Sequence, residues 1–193
     1  MKEVKNKIHR ILAPRLVVLV GSKSSDGHSN IIPISNITSV SVKPSMVVIA
    51  IYKPWTTTAN LKTAKGFTIS VPQKDQLELV WKLGQKYSGY NSDKDKIEEF
   101  GDELDLEFSE FGPVLKNSLG WVEYEIVDRP SEGEGDHMLF IGKVKKAMVN
   151  PKFYSDEVVP IGSPKPFMQW TSNTFAEPTD LFSIDFYNKP DFL

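Results

Sequence analysis

Residues 30–60 read NIIPISNITSVSVKPSMVVIAIYKPWTTTAN. Residues 46–51 within this stretch are all apolar and lie between Pro44 and Pro54, a pattern typical of a strand with both faces covered. We therefore predict a buried strand at residues 46–51. The turn at residues 53–60 then leads from this strand into a helix.

The turn after this strand carries groups that suit a phosphate. Lys53 supplies a cation, and the hydroxyls of Thr56, Thr57 and Thr58 come just before a helical window. Backbone N–H groups at a helix start, capping hydroxyls and one cation together make a phosphate site. A plain helix N-cap and a solvated surface lysine are the alternative interpretation of the same residues.

The order of these features resembles the flavin reductase-like family, which carries a small-N-x-x-P-x-S-x-x-x-x-V-S-x-x-P-P segment, an apolar strand and a T-x-x-N-[IL] turn. The matching residues here are Asn30, Pro33, Ser35, Val40, Ser41, Pro44, Thr57, Asn60 and Leu61. Ser45 stands where the family usually has its second proline. A second signature of the family, G-D-H followed by an apolar strand and G-x-V, is matched by Gly135, Asp136, His137, Gly142 and Val144.

The resemblance implies a mainly β chain with peripheral helices, folded as an antiparallel FMN-binding split β-barrel. Residues 1–193 are expected to form a single domain. Residues 151–193 depart from the family and are expected to be a divergent C-terminal extension. Because this extension is rich in aromatic residues and broken by prolines, we expect it to pack on the barrel or on a partner subunit.

The resemblance also implies an FMN site, with the flavin ring against a polar bend after Pro33. Residues 34–39 mix hydroxyls and amides, so the bend offers the polar groups and small side chains that an isoalloxazine edge needs. A loop whose Ser and Asn side chains satisfy their own backbone is the alternative. The expected cofactor-binding residues are Pro33, Ile34, Ser35, Asn36, Ala50, Ile51, Tyr52, Lys53, Thr57, Thr58 and Asn60.

His137 is the candidate catalytic residue, because it is the one histidine inside a family signature. Asp136 precedes it, and a neighbouring carboxylate favours the charged form of an imidazole. A loop histidine of no consequence is the alternative. His28, beside a turn, is interpreted as a solvated residue, and Arg15, at the start of the first strand, as a structural one.

The resemblance implies an FMN-binding oxidoreductase that passes electrons from NAD(P)H through FMN to a small acceptor or a partner protein. The first alternative is a non-catalytic FMN-binding electron carrier or storage protein. The second is a barrel used only for protein interaction. The sequence does not distinguish NADH from NADPH, and it does not identify the acceptor. A homodimer with the flavin at or near the two-fold interface is also implied.

Composition excludes several classes of site. The chain has no cysteine, so thiolate metal sites, iron–sulfur clusters and thiol nucleophiles are excluded, and its three histidines lack ligand spacing. We therefore expect no metal. The net charge is −2 and the charged residues are spread along the chain, so no nucleic-acid partner is predicted. No membrane partner and a cytoplasmic location are expected, because no long apolar run or signal-peptide core occurs.

The remaining chain is predicted to alternate strands and helices. Strands are expected at residues 16–20, 67–71, 121–127 and 138–149, with Asp26 and Gly27 in a hairpin turn and Gly142 as a bulge. Helices are expected at residues 58–65 and 73–83, ended by Gly66 and Gly84. The apolar stripe of the second helix is attributed to the core or a dimer interface, not to a cofactor site. Residues 85–113 are predicted to be a solvated excursion with a short helix at 97–100.

Overall fold

The computed structural model describes residues 1, 3–85, 96–101, 103–130, 133–155, 164–171 and 173–178. Within these ranges the α-helices are α1 (Thr56–Thr63), α2 (Leu77–Gln85) and α3 (Lys96–Phe100). The strands are β1 (Arg15–Leu16), β2 (Val18–Lys23), β3 (Ser29–Ile34), β4 (Ile37–Ser41), β5 (Met46–Tyr52), β6 (Gly66–Val71), β7 (Leu106–Phe108), β8 (Pro113–Leu115), β9 (Gly120–Asp128), β10 (His137–Val149), β11 (Met168–Thr171) and β12 (Thr174–Ala176).

Seven strands form one antiparallel sheet in the order β3-β2-β6-β9-β10-β5-β4. Its two edge strands, β3 and β4, follow each other in the chain with only Ser35 and Asn36 between them. Because consecutive Cα atoms are about 3.8 Å apart, the two edges can be no more than about 11 Å apart at this end. The sheet therefore curls into a barrel, and the missing ladder between β3 and β4 leaves the barrel split. The antiparallel split β-barrel expected from the sequence is confirmed.

Two apolar cores lie on opposite faces of the sheet. The first fills the barrel and includes Phe67 and Phe140, both fully buried. The second lies outside β2 and β3, where residues of α2, α3 and β8 cover them. Strands β2 and β6 have both faces covered, because every residue but the last is buried in each. The prediction of two covered faces for β5 is wrong, because its residues alternate between buried and half-buried.

Two glycines predicted to end helices do something else. Gly66 is the first residue of β6, and a Cβ there would lie 2.4 Å from the carbonyl oxygen of Tyr124. Gly84 lies inside α2, where a Cβ would come within 3.0 Å of the Pro33 ring. Both glycines therefore permit close packing and do not terminate a helix.

Two local predictions are confirmed. Gly27 has φ of +95° in the turn between β2 and β3, a conformation that glycine adopts without strain. The β9–β10 ladder shifts register between Ile141 and Gly142, which is the expected irregularity. A Cβ at Gly142 would lie 2.7 Å from the Phe67 ring, so the absence of a side chain at Gly142 leaves room for Phe67 in the core.

Residues 96–101 and 103–113 form a solvated excursion only in part. The short helix predicted there is α3, and several acidic residues are exposed, but Phe100 and Leu104 are buried in the second core. The expectation of a solvated segment also fails at Lys96, whose side chain is buried. The rest of the predicted excursion, residues 86–95, lies outside the described residues.

Part of the C-terminal extension packs on the barrel. Strands β11 and β12 form a small antiparallel sheet with β1, and Phe167 lies buried in the second core. Residues 156–163, 172 and 179–193 lie outside the described residues, as do the aromatic residues predicted to pack there, Phe182, Phe186 and Tyr187. Among the helices that the structure describes, none is both long and apolar enough to cross a membrane.

Lys96 leads to a prediction about stability and pH. Burial lowers the pKa of its ammonium group to about 8 from the ordinary 10.5. Between these two values the unfolded chain binds more protons here than the folded chain does, so the free energy of unfolding rises with pH. Below pH 8 the burial of the charged Lys96 ammonium group lowers the free energy of unfolding by about 3 kcal/mol. This loss disappears as the pH rises to 10.5.

Urea unfolding of the wild type and of Lys96→Met between pH 7 and pH 10 measures this effect. The variant should be the more stable at pH 7 and lose its advantage as pH rises. Subtracting the two curves removes the titration of other groups and the constant loss of the hydrogen bond from Lys96 Nζ to the Leu83 carbonyl oxygen (3.2 Å). Parallel curves would show that the ammonium group is not buried at this cost.

Candidate functional site

A cavity of about 260 Å³ lies beside the bend that joins β3 to β4. Six residues singled out in the sequence line it: Pro33, Ile34, Ser35, Asn36, Ala50 and His137. Pro33 and Ile34 end β3, and Ser35 and Asn36 form the bend. Ala50 lies on β5, and His137 begins β10, the neighbouring strand. Residues that are distant in the sequence therefore meet at one cavity.

The other wall of the cavity comes from residues that the sequence interpretation missed: Val17, Trp55, Val80, Trp81, Gly84, Gln169 and Phe175. Three of them lie on α2, whose apolar stripe packs in the second core as expected and also reaches the cavity. Gly84 lets α2 approach Pro33 closely. The apolar side of α2 therefore reaches both the second core and the cavity. The signal available in the sequence was the pair of tryptophans, Trp55 and Trp81.

Residues of the C-terminal extension complete this wall. Phe175 on β12 contacts the Trp81 ring edge-to-face, with 6.0 Å between ring centroids, and the Phe167 ring similarly at 5.9 Å. Aromatic pairs in this geometry add to the stability gained by burial. The described part of the extension is thus both a piece of the second core and a side of the cavity.

Long-range hydrogen bonds hold the bend. The backbone N–H of Ala50 donates to the Asn36 carbonyl oxygen (3.0 Å), and Arg15 Nη1 donates to Asn36 Oδ1 (2.7 Å). Ser35 Oγ donates to Gln169 Oε1 (3.0 Å). The side chains of Ser35 and Asn36 therefore bind distant residues, and the alternative in which they satisfy their own backbone is wrong.

His137 is held by its neighbours. Its Nδ1 lies 2.6 Å from Asp136 Oδ1, and this hydrogen bond, followed by the imidazole and Lys53 charges, lowers the pKa of the Asp136 carboxyl. The Tyr52 ring meets the imidazole edge-to-face, with centroids 5.7 Å apart. With Nδ1 engaged, Nε2 is the ring nitrogen left for a ligand, since no described residue bonds to it.

Lys53 secures the loop that precedes His137. Its backbone N–H donates to the Asp136 carbonyl oxygen and its Nζ to the Gly133 carbonyl oxygen, both at 2.9 Å. A lysine ammonium has three donors, so this contact leaves capacity for an anion. Lys53 is half-buried and does not line the cavity.

Three expected phosphate ligands have other partners. Thr57 Oγ1 accepts from Asn30 Nδ2 (2.9 Å), and Thr58 Oγ1 donates to the Tyr52 carbonyl oxygen (2.8 Å). Asn60 Nδ2 donates to Ser22 Oγ (3.2 Å). All three side chains are buried and dock α1 on the barrel, so we correct their predicted role. The Thr58 N–H already donates to the Trp55 carbonyl oxygen (2.9 Å). Lys53, the Thr56 hydroxyl and the backbone N–H groups of Thr56 and Thr57 remain for a phosphate.

Ile51 also needs correction, because its side chain is fully buried in the first core and does not reach the cavity. Tyr52 reaches it only indirectly, by packing against His137 and against the cavity residue Trp55. In the part of the chain that the structure describes, no group of three or more His, Asp or Glu residues could hold a metal ion.

The cavity suits one flat end of a larger ligand. Trp55, Trp81 and Phe175 provide apolar surfaces, while Asn36 and His137 provide polar nitrogen atoms. Ordinary ligand pockets measure about 300–1,000 Å³. At about 260 Å³ this cavity can enclose a ring system, and the rest of a nucleotide-sized ligand must lie outside it.

Comparisons with known proteins agree with this architecture. A family model described as the flavin reductase like domain matches residues 10–161. An uncharacterized protein of Pyrococcus abyssi (strain GE5 / Orsay) is 33% identical over 136 residues, covering 70% of this chain and 74% of that protein.

Two solved structures share the fold. The FMN-binding protein from Thermus thermophilus with bound 1-cyclohex-2-enone has a TM-score of 0.79 at 19% identity, covering 95% of this chain and 98% of that chain. The NADH:FAD oxidoreductase of Streptomyces globisporus C-1027 has a TM-score of 0.66 at 23% identity, covering 79% of this chain and 89% of that chain.

Proposed function

Because the chain belongs to the flavin reductase-like family, we propose that it is an FMN-binding oxidoreductase of flavin reductase type. It transfers electrons from NADH or NADPH to a small molecule or a partner protein. Bound FMN supplies the hydride and electron transfer. The residues of the chain bind the flavin, orient it and set its electrostatic surroundings.

The observation that carries this proposal is the meeting of two family signatures at one cavity. Pro33 and Ser35 belong to the first signature, and His137 belongs to the second. Trp55, Trp81 and Phe175 give the cavity the apolar surface that a flavin ring needs, and Asn36 offers a hydrogen-bond donor. The ribityl phosphate needs a surface outside the cavity, for which the start of α1 beside Lys53 is our candidate.

The visible spectrum of the purified protein, before and after anaerobic addition of NADH or NADPH, tests this function. We expect flavin absorption that bleaches within the time of an enzymatic turnover. A flavin spectrum that bleaches only with dithionite or a reduced partner protein would favour the alternative, an FMN-binding electron carrier or storage protein. A colourless protein without affinity for FMN or FAD would leave only a barrel for protein interaction.

The choice of FMN over FAD leads to a prediction for Lys53. An ammonium group beside the terminal phosphate makes a charge-assisted contact, so Lys53→Ala should weaken FMN binding by about 1.5–3 kcal/mol, or roughly 10- to 100-fold in Kd. Flavin fluorescence quenching measures the affinity. Riboflavin lacks the phosphate and is the matched control, because its affinity should not change.

The outcome for riboflavin separates two roles of Lys53. If both ligands lose affinity equally, Lys53 acts only by holding the Gly133 loop through its 2.9 Å hydrogen bond. An unchanged affinity for FMN would remove Lys53 from the site. Parallel titration with FAD tests the cofactor choice, since a contact with a terminal phosphate favours FMN.

A homodimer with the flavin near the two-fold interface is part of this proposal. Its support is that Leu139, 41% exposed, pairs on the outer surface of the sheet with Ala50, a cavity residue. An exposed apolar surface continuous with a site suits a second subunit. Light scattering that gives the mass of one chain, 21.8 kDa, would contradict the dimer. A single domain over residues 1–193, a cytoplasmic location and the absence of nucleic-acid and membrane partners stay predictions.

A further inference from the structure

Arg15 determines which way the Asn36 side chain faces. Its Nη1 donates to Asn36 Oδ1 at 2.7 Å, and a guanidinium group has donors only. The amide oxygen of Asn36 must therefore point at Arg15, and the NH₂ group must point away from it. Arg15 thus removes the ambiguity between the two orientations of an amide.

The remaining contacts of Asn36 leave its NH₂ group for a ligand. The Asn36 backbone carbonyl oxygen accepts from the Ala50 N–H at 3.0 Å, which fixes the main chain beside β5. Asn36 lines the cavity, and no described residue accepts a hydrogen bond from its Nδ2. The donor is therefore held in place from two sides and has no partner within the described protein.

The burial of part of the Arg15 guanidinium group lowers the stability of the fold, and a purely structural role does not explain this loss. The Nε atom of Arg15 is buried and has no hydrogen-bond partner among the described residues. A buried unpaired donor destabilises a fold, and more so on a charged group. A smaller polar residue could join β1 to the bend without this cost, so the guanidinium group points to a function beyond folding.

The charge of Arg15 also strengthens the donor that Asn36 offers. Hydrogen bonds to ionised groups are stronger than neutral ones, and linked hydrogen bonds polarise each other. An amide whose oxygen is bound by a cation has a more positive NH₂ group. Such a donor binds an acceptor on a ligand better when that ligand carries negative charge.

Resting on the flavin-binding function proposed above, we propose that Arg15 is a positioning residue. It holds Asn36 as a one-way hydrogen-bond donor to the acceptor edge of the flavin ring and thereby favours the electron-rich, reduced form of the ring over the oxidised form. The class of ligand that this arrangement selects is a flat heteroaromatic ring with carbonyl or imine acceptors that becomes more negative on reduction.

The test is the two-electron midpoint potential of the bound flavin, with the Kd of the oxidised flavin measured beside it. Arg15→Met should weaken binding of the reduced form about tenfold more than that of the oxidised form, which lowers the potential by about 30 mV. Lysine is also a cation with donors only, so Arg15→Lys should give a midpoint potential close to that of the wild type. Asn36→Ala should lower the potential as much as Arg15→Met does.

The double variant Arg15→Met with Asn36→Ala decides whether Arg15 acts through Asn36. If it does, the double variant has the potential of Asn36→Ala alone. Additive shifts would overturn the proposal, and so would a wild-type potential in Arg15→Met. If Arg15→Met does not fold, Arg15→Gln, which removes the charge but keeps a polar side chain, gives the same comparison in the wild-type and Asn36→Ala backgrounds. A wild type that binds no flavin is a separate failure, that of the proposed function.

Discussion

Replacement of His137 by alanine is expected to leave FMN bound and to slow its reduction by NADH or NADPH about 10- to 100-fold. Nδ1 of His137 lies 2.6 Å from Asp136 Oδ1, so Nε2 is the nitrogen available at the cavity. A charge-assisted hydrogen bond is worth about 1.5–3 kcal/mol, which corresponds to this range of rates when it forms mainly during hydride transfer. Removing such a contact lowers the rate and leaves ground-state binding unchanged.

Stopped-flow reduction of wild type and variant, each preloaded with FMN, is the measurement. His28→Ala is the matched control, because His28 also lies near an aspartate, with its Nε2 3.9 Å from Asp26 Oδ2, but it is exposed in a hairpin turn and does not line the cavity. Its reduction rate should equal that of the wild type. Asp136→Asn should slow reduction less than His137→Ala, since it only weakens the hold on the imidazole.

The pH profile distinguishes a charged imidazole from a purely steric one. The rates of the wild type and of His137→Ala are compared between about pH 5.5 and 8, and a ratio of the two rates that changes with pH would support a charged imidazole. Equal rates for the two proteins throughout this interval would show that His137 takes no part in the chemistry. That result would favour the electron carrier over the enzyme.

The second large effect is expected for Phe167→Ala, which should lower the free energy of unfolding by about 3–5 kcal/mol. Phe167 is 2% exposed, lies in the second core and contacts Phe175 edge-to-face. Small domains are stable by only about 5–15 kcal/mol, so this loss would be a large part of the total. Because Phe175 lines the cavity, the variant should also bind flavin more weakly.

Urea unfolding of Phe167→Ala and Trp170→Ala tests whether the C-terminal extension belongs to the core of its own subunit. Trp170 lies three residues further along the same segment and is 51% exposed, so its replacement should change stability by less than about 0.5 kcal/mol. Small and equal effects of the two substitutions would contradict the packing of Phe167. In that case the extension would have to be supported by a partner subunit.

Local patterns were enough to predict individual strands and turns, whereas the split barrel was expected from the family resemblance. The turn at Gly27, the apolar strands and the bulge at Gly142 each depend on a few neighbouring residues, whose φ angles, branching and alternation act over short distances. The residues themselves therefore determined these strands and turns, the polar bend and the proximity of Asp136 to His137, and the resemblance supplied the split barrel.

Tertiary packing alone decided which polar side chains are available. Thr57, Thr58 and Asn60 look like phosphate ligands along the chain, yet each has a partner on another element and is buried. A hydroxyl at a helix start can cap, bind a ligand or dock the helix, and the choice depends on what lies opposite. That surface is formed by residues far away in the sequence, so no local pattern reports it.

The same reason explains the rest of the site. The apolar side of α2 reaches the cavity because Gly84 packs against Pro33, and the sequence pattern of an amphipathic helix does not say which surface it covers. Gln169 and Phe175 enter the cavity because β11 pairs with β1, near the other end of the chain. Arg15 meets Asn36 for the same reason, since a side chain's partner is set by the complete fold.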